Sequence, residues 1–238
     1  SVTLESNAGT KVYFHKNSGM KVSSGAVLNI NGTQADQVIL RGDRNDPYYD
    51  TIPKNWNSIK MEANSTLKMN HARLFGGTRG LDMKQTNATI TNSFIHTFFE
   101  YGIYAVGSTV NANNLVMNNC GLSCVGIFLG GKHSYTHATI ANYSKTMSSF
   151  DRTGIFAANE WKNDAGQAQQ GALQQLDIKN SIVYSDRDDA VHFEQTPGQQ
   201  FEFLLQNSLI KYTSATGAGF TFDNNPNVIQ TVKNAEPQ

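Results

Sequence analysis

Three groups of residues in this chain have types and spacings that chemistry can use. The first is near the C-terminus, where His192 and Glu194 alternate in Ala190-Val191-His192-Phe193-Glu194 and Asp223 closes Gly219-Phe220-Thr221-Phe222-Asp223. On neighbouring strands, Glu194 and Asp223 can approach the roughly 5–5.5 Å carboxyl separation of a retaining glycosidase, with His192 beside them. Asp186, Asp188 and Asp189 precede them on a turn. The second group is His133, Tyr135 and His137, following Gly130-Gly131-Lys132. In a strand these share one face, but His133 and His137 then stand about 13 Å apart. A zinc ion with N–Zn bonds of about 2.1 Å cannot span that gap, so no metal site is expected. The third group is Tyr104, Phe128 and Phe156, an outward aromatic run with small neighbours Val106, Gly130 and Ala158. Contiguous exposed apolar surface marks a contact, here a platform on which sugar rings stack. The competing expectation is a long loop folded over the run.

The elements that position these residues repeat. Gly followed by an apolar alternation occurs at Gly80-Leu81-Asp82-Met83, Gly102-Ile103-Tyr104-Ala105, Gly126-Ile127-Phe128-Leu129, Gly154-Ile155-Phe156-Ala157 and Gly219-Phe220-Thr221-Phe222. Ser58-Ile59-Lys60-Met61 and Ala190-Val191-His192-Phe193 fill the same slot. A second marker, an aliphatic or Ala two residues before Asn, precedes the later ones: Ile90/Asn92, Ala112/Asn114, Ile140/Asn142, Ile178/Asn180 and Leu205/Asn207. Asn suits a recurring bend because it tolerates the left-handed conformation and its amide can hydrogen-bond from layer to layer. A unit of about 22 residues with several short strands and Asn or Gly corners is one coil of a parallel β-helix. An antiparallel sandwich needs frequent hairpin turns, and Asn31-Gly32 is the one Asn-Gly pair in the chain. The expectation is therefore an all-β, right-handed parallel β-helix of about eight to ten coils, one domain over residues 1–238, with longer loops near 130–150 and 160–176. The Ala- and Gln-rich stretch 164–175 is the one helix-tolerant segment.

Aligning the repeats buries Ile59, Leu81, Ile103, Ile127, Ile155, Val191 and Phe220, with Met61, Met83, Ala105, Leu129, Ala157, Phe193 and Phe222 beside them. Two outward ladders result, Lys60-Asp82-Tyr104-Phe128-Phe156-His192-Thr221 and Glu62-Lys84-Val106-Gly130-Ala158-Glu194-Asp223. At one end, Lys60 beside Asp82 and Glu62 beside Lys84 suit cross-strand ion pairing.

Composition narrows the partners. Charged residues are 16% of the chain, with 19 Lys+Arg against 19 Asp+Glu. That balance removes the electrostatic case for nucleic acid or an anionic membrane surface. No apolar run approaches the roughly 18 residues of a membrane-spanning helix. With 25 Asn, 13 Phe and 9 Tyr the chain belongs to neither the disordered class nor the coiled coils. Cys120 and Cys124 are too few for a disulfide scaffold; two small buried residues in a turn is the reading, with a local disulfide as the alternative. No cofactor is expected, and the chain is expected to be a monomer. The start at Ser1 without Met reads as a processed or truncated product. Arg41-Gly42-Asp43 matches an adhesion tripeptide by letters only, and Asn-x-Ser/Thr triplets at Asn31, Asn64, Asn87 and Asn142 follow from abundant Asn and Thr.

Several segments carry a family resemblance. Gly9-Thr10-Lys11-Val12-Tyr13-Phe14-His15-Lys16, Leu40-Arg41-Gly42-Asp43-Arg44, Gly130-Gly131-Lys132-His133 and Thr139-Ile140-Ala141-Asn142-Tyr143 resemble the right-handed, pectin-lyase-like β-helix region of uncharacterised Bacteroidales cell-envelope proteins, many of them lipoproteins. The resemblance covers roughly residues 2–210; Trp56-Asn57-Ser58-Ile59 departs from it, lacking the family's Gly before that strand. It implies export to the periplasm or outer-membrane surface, with lipid anchoring through a preceding segment, and supplies no reaction. Asp188-Asp189-Ala190 is also similar to the paired-Asp turn of polygalacturonases, but their Gly-His-Gly and Arg-x-Lys elements are absent. For a pectate-lyase-like reaction Arg187 and Arg152 are the candidate bases. The functional expectation is a non-catalytic scaffold that contacts glycan or a cell-surface protein through Tyr104, Phe128 and Phe156. The alternative is a polysaccharide lyase or glycoside hydrolase using Glu194, Asp223 and His192. A spacer presenting another domain is a third reading.

Overall fold

Short runs in which β-branched and aromatic residues alternate with polar ones favour strands over helices. The computed structural model describes residues 2–143, 153–213 and 219–233, and its one helical segment among them is the 3₁₀ turn Pro47–Asp50. Nearly all other pairing is parallel. One column stacks Thr3–Asn7, Val27–Asn31, Thr66–Asn70, residues 87–91, 109–113 and 131–136, Leu173–Lys179, Leu204–Gln206 and Val228–Ile229. A second stacks Lys11–Phe14, Val38–Gly42, Ala72–Phe75, residues 93–98 and 115–120, Thr139–Asn142, Ile182–Ser185, Leu209–Ile210 and Val232–Lys233. The third stacks Met20–Val22, Ile59–Met61, Leu81–Lys84, residues 101–106 and 123–128, Thr153–Ala158 and Val191–Glu194. Each strand pairs with the one a repeat away in sequence. The protein is thus all-β with a long parallel sheet, compatible with a parallel β-helix. Among the described residues, no helix is long and apolar enough to cross a membrane.

The core lies between the columns. In the third, Ile59, Leu81, Ile103, Val125, Ile155 and Val191 align and are buried, beside Met61, Met83, Ala105, Ile127, Ala157 and Phe193. Each large aliphatic side chain among them contributes about 1.5–3 kcal/mol by leaving water. Ile103, Ile127 and Ile155 all lie in this sheet and face inward, but Ile127 is not in the Ile103 column. Cys124, not Gly126, occupies the slot of Gly102 and Gly154, and Gly126 sits on the rung of Tyr104 and Phe156. A two-residue slip preserves which face is buried, because side chains alternate with period 2. The irregularity that compensates is at Leu129, Gly130 and Gly131, with successive φ of 57, 63 and 108°. Leu129, expected in the core, is half-buried at this bend. The last anticipated repeat is not a strand. Phe220 stacks on Phe193 at 5.1 Å, and Phe222 is buried with its N–H donated to Tyr212 Oη at 3.1 Å.

The corner between the first and second columns shows why Asn recurs. His71, Asn92, Asn114, His137, Asn180, Asn207 and Gln230 have φ between 45 and 52°. Asn114 Nδ2 donates to Asn92 Oδ1 at 2.8 Å, and Asn92 Nδ2 to Asn70 Oδ1 at 2.9 Å. Asn142, expected in this column, is instead buried at another corner, accepting from Cys120 N at 2.9 Å and donating to Thr153 O at 3.0 Å. His137 takes its slot, 3.4 Å from Asn180 Nδ2. Asn is better suited than His to that conformation. His137→Asn is therefore expected to stabilise the protein by about 0.5–1 kcal/mol, raising Tm by about 1–4 °C in calorimetry; an unchanged or lower Tm refutes it.

Two anticipated loops differ. Residues 132–136 continue the strand Ser123–Thr136, while 144–150 lie outside the described residues. The stretch taken as helix-tolerant supplies the turn and second strand of a hairpin, Glu160–Lys162 against Ala168–Gln170, and then the start of the parallel strand Leu173–Lys179. Asn163 Oδ1 accepts from Ala165 N at 3.0 Å and Gln167 N at 2.9 Å, and Gly166 has φ 76°, which together turn the chain. Asn159 fastens the hairpin's base: buried, it donates to Gly171 O at 2.7 Å and Gln200 O at 3.0 Å. Cys120 and Cys124 are free, buried thiols.

Candidate functional site

On the outward side of the third column the rungs carry Lys60, Asp82, Tyr104, Gly126, Phe156 and His192 in order. Phe128 pairs with Val106, two residues along, and Ala158 with Glu194; Val106 and Ala158, expected as exposed neighbours of the rings, are buried. The missing side chain at Gly126 shapes the surface. A Cβ there would come within 2.7 Å of the Tyr101 ring and 3.0 Å of Phe128, so both rings fold into the vacated space. Ring centroids then follow one another: Tyr104 to Phe128 at 4.9 Å, Phe128 to Phe156 at 5.3 Å, and Phe156 to His192 at 5.5 Å. Tyr101 closes the start of the row, 5.2 Å from Tyr104 and 5.8 Å from Phe128.

The hairpin stands over this row without burying it. Trp161 Nε1 donates to Tyr104 Oη at 2.8 Å, and Lys84 Nζ lies 5.0 Å from the Trp161 ring and 3.6 Å from Asp164. Tyr101, Tyr104, Phe128, Phe156 and Trp161 all remain half-buried. Between them is a cleft of ≈ 460 Å³, lined also by Arg79, Glu100, Glu160, Lys162 and Glu194. That volume falls in the range of small-ligand sites.

The walls are electrostatically organised. Arg79 spreads over the Tyr104 ring at 4.2 Å while its nitrogens meet Glu100 at 2.5 Å and Asp82 at 3.3 Å. The anticipated Lys60–Asp82 and Glu62–Lys84 pairs are replaced: Asp82 takes Arg79, Glu62 takes Lys21 at 2.6 Å, and Lys84 takes Asp164. Burial pushes the Tyr101 phenol up to about 12 and raises that of Tyr104, whose Trp161 and Arg79 contacts offset this only in part. Both phenols are neutral, and Tyr104, already accepting from Trp161, keeps its own proton to donate.

The structure joins two groups that the sequence presents separately. His192 Nε2 lies 3.1 Å from Glu194 Oε1, and Glu194 lines the same cleft as Tyr104, Phe128 and Phe156. Asp223 is not among the cleft residues; its carboxylate meets Lys233 Nζ at 2.6 and 2.9 Å. Asp189 accepts from Thr213 N at 2.7 Å, and Asp186 and Asp188 are exposed. Arg187 N donates to Ser185 Oγ at 3.2 Å; Arg152 lies outside the described residues. His133 and Tyr135 point into the core, whereas His137 sits at its corner, so the three do not converge, and no metal-binding cluster occurs among the described residues. Arg41 of the adhesion-like tripeptide pairs with Asp50 at 2.6 Å.

Sequence reasoning missed Tyr101, Arg79, Glu100 and Trp161. The turn signal Asn163-Asp164-Ala165-Gly166 is the one feature that could have placed Trp161 on a hairpin. Nothing comparable marks Arg79 or Glu100, which reach the cleft from corners. No family model, curated protein sequence or solved structure matches this chain.

Proposed function

We propose that this chain is a right-handed β-helical solenoid of a bacterial cell envelope that binds glycan in the Tyr104–Phe128–Phe156 cleft. The observation that carries the reading is a half-exposed row of rings beside hydrogen-bonding groups. The weakly positive C–H faces of a sugar ring suit aromatic faces, while Glu100, Lys162 and the Tyr104 hydroxyl offer partners to its hydroxyls. Export and lipid anchoring rest on the envelope-protein resemblance alone. A monomer is the proposed state. Binding of a glycan panel to the Tyr104→Ala/Phe156→Ala variant tests the reading. Loss of two central rings is expected to weaken binding by about 30-fold or more, the scale of a central hot spot; unchanged binding removes this surface from consideration.

Glu194 and His192 at the cleft's far end favour a second reading, hydrolysis or elimination on the bound glycan. Turnover of any panel member that disappears in Glu194→Gln, with binding retained, would establish it.

A further inference from the structure

We infer that the ligand of this cleft is a polysaccharide free of carboxylate and sulfate groups, laid along the direction in which the strands stack; this rests on the glycan reading above. The orientation follows from the row itself. Tyr104 and His192 stand three rungs apart, about 14 Å at the usual strand spacing, so the rings form a track longer than a single sugar. Trp161 leans over the Tyr104 end of that track.

The ligand's charge follows from the walls. Three carboxylates line the cleft, Glu100, Glu160 and Glu194, against Arg79 and Lys162. Arg79 is already engaged by Glu100 and by Asp82 behind it, so its fork is not open to clamp an incoming acid. Glu160 and Glu194 are exposed at the mouth. A uronate or sulfated sugar approaching the rings meets three carboxylates against Arg79 and Lys162, with Arg79 already engaged and Lys162 the one ammonium of the lining among the described residues, whereas hydroxyls find both donors and acceptors.

The test is calorimetric titration of the full chain with cellohexaose, mannohexaose, xylohexaose and hexagalacturonate at low ionic strength. At least one uncharged oligomer is expected to bind, with hexagalacturonate at least about 10-fold weaker, and Trp161 fluorescence should shift on binding and not in Trp161→Phe. In the Glu160→Gln/Glu194→Gln variant the gap is expected to shrink several-fold; circular dichroism checks its fold. Hexagalacturonate binding as tightly as the best uncharged oligomer, or a gap unmoved in the double variant, overturns the inference and leaves glycan binding standing. Absence of binding by all four overturns the glycan reading and this one with it.

Discussion

Acidification through the histidine range is expected to strip this protein of much of its stability. His133 is fully buried, and burial drives its imidazole from 6.5 to about 4; its Nε2 lies 3.4 Å from Gly130 O, while Nδ1 has no partner. His96 is lowered to about 4 as well, first by burial and then by Arg73, whose Nε donates to His96 Nε2 at 3.0 Å. In the unfolded chain both titrate near 6.5. Because the unfolded state takes up these protons first, stability is intact above that value and falls as pH drops towards 4. Each histidine accounts for a loss on the order of 3 kcal/mol. Urea midpoints measured from neutral pH to 4.5 should therefore decline steeply. His133→Leu and His96→Gln should each flatten the decline. A midpoint that stays level in the unmodified protein contradicts the mechanism.

Gly131→Ala is expected to be strongly destabilising. Its φ is +108°, and a Cβ there would stand 2.2 Å from Ser108 O on the neighbouring strand. Backbone strain and overpacking add, for a loss of about 3–5 kcal/mol. Gly166→Ala is the matched control: φ is +76°, but nothing lies within 4 Å of the added carbon. Only the left-handed penalty applies there, about 1 kcal/mol. Equal losses for the two variants, measured by denaturant unfolding, would show that close approach to Ser108 does not matter.

The parallel, all-β character was legible because the Gly-led alternations and the Asn markers recur near one repeat length. The buried set was legible too, since period-2 alternation assigns inward and outward faces even when the register slips. The columns were not. Gly126 looks like the head of a repeat, yet Cys124 holds that slot, because a small buried residue satisfies it as well as glycine does. Likewise His137 stands where Asn142 was expected: the corner demands a left-handed backbone and does not dictate one side chain. Of the cleft, Tyr104, Phe128, Phe156 and Glu194 were readable from strand alternation. Arg79, Glu100 and Trp161 were not, because corners and excursions carry no periodicity, and Asp223 turned out to be held by Lys233.

The Asn159 fastening separates the hairpin from the stacked strands. The hairpin over 160–170 leaves the third column and the chain rejoins the first at a junction held by Asn159 to Gly171 and Gln200, so its two strands pair only with each other and add no rung to the parallel ladders. The hairpin can therefore be exchanged as a unit without disturbing the stacked strands, as a tool head is changed on an unaltered handle.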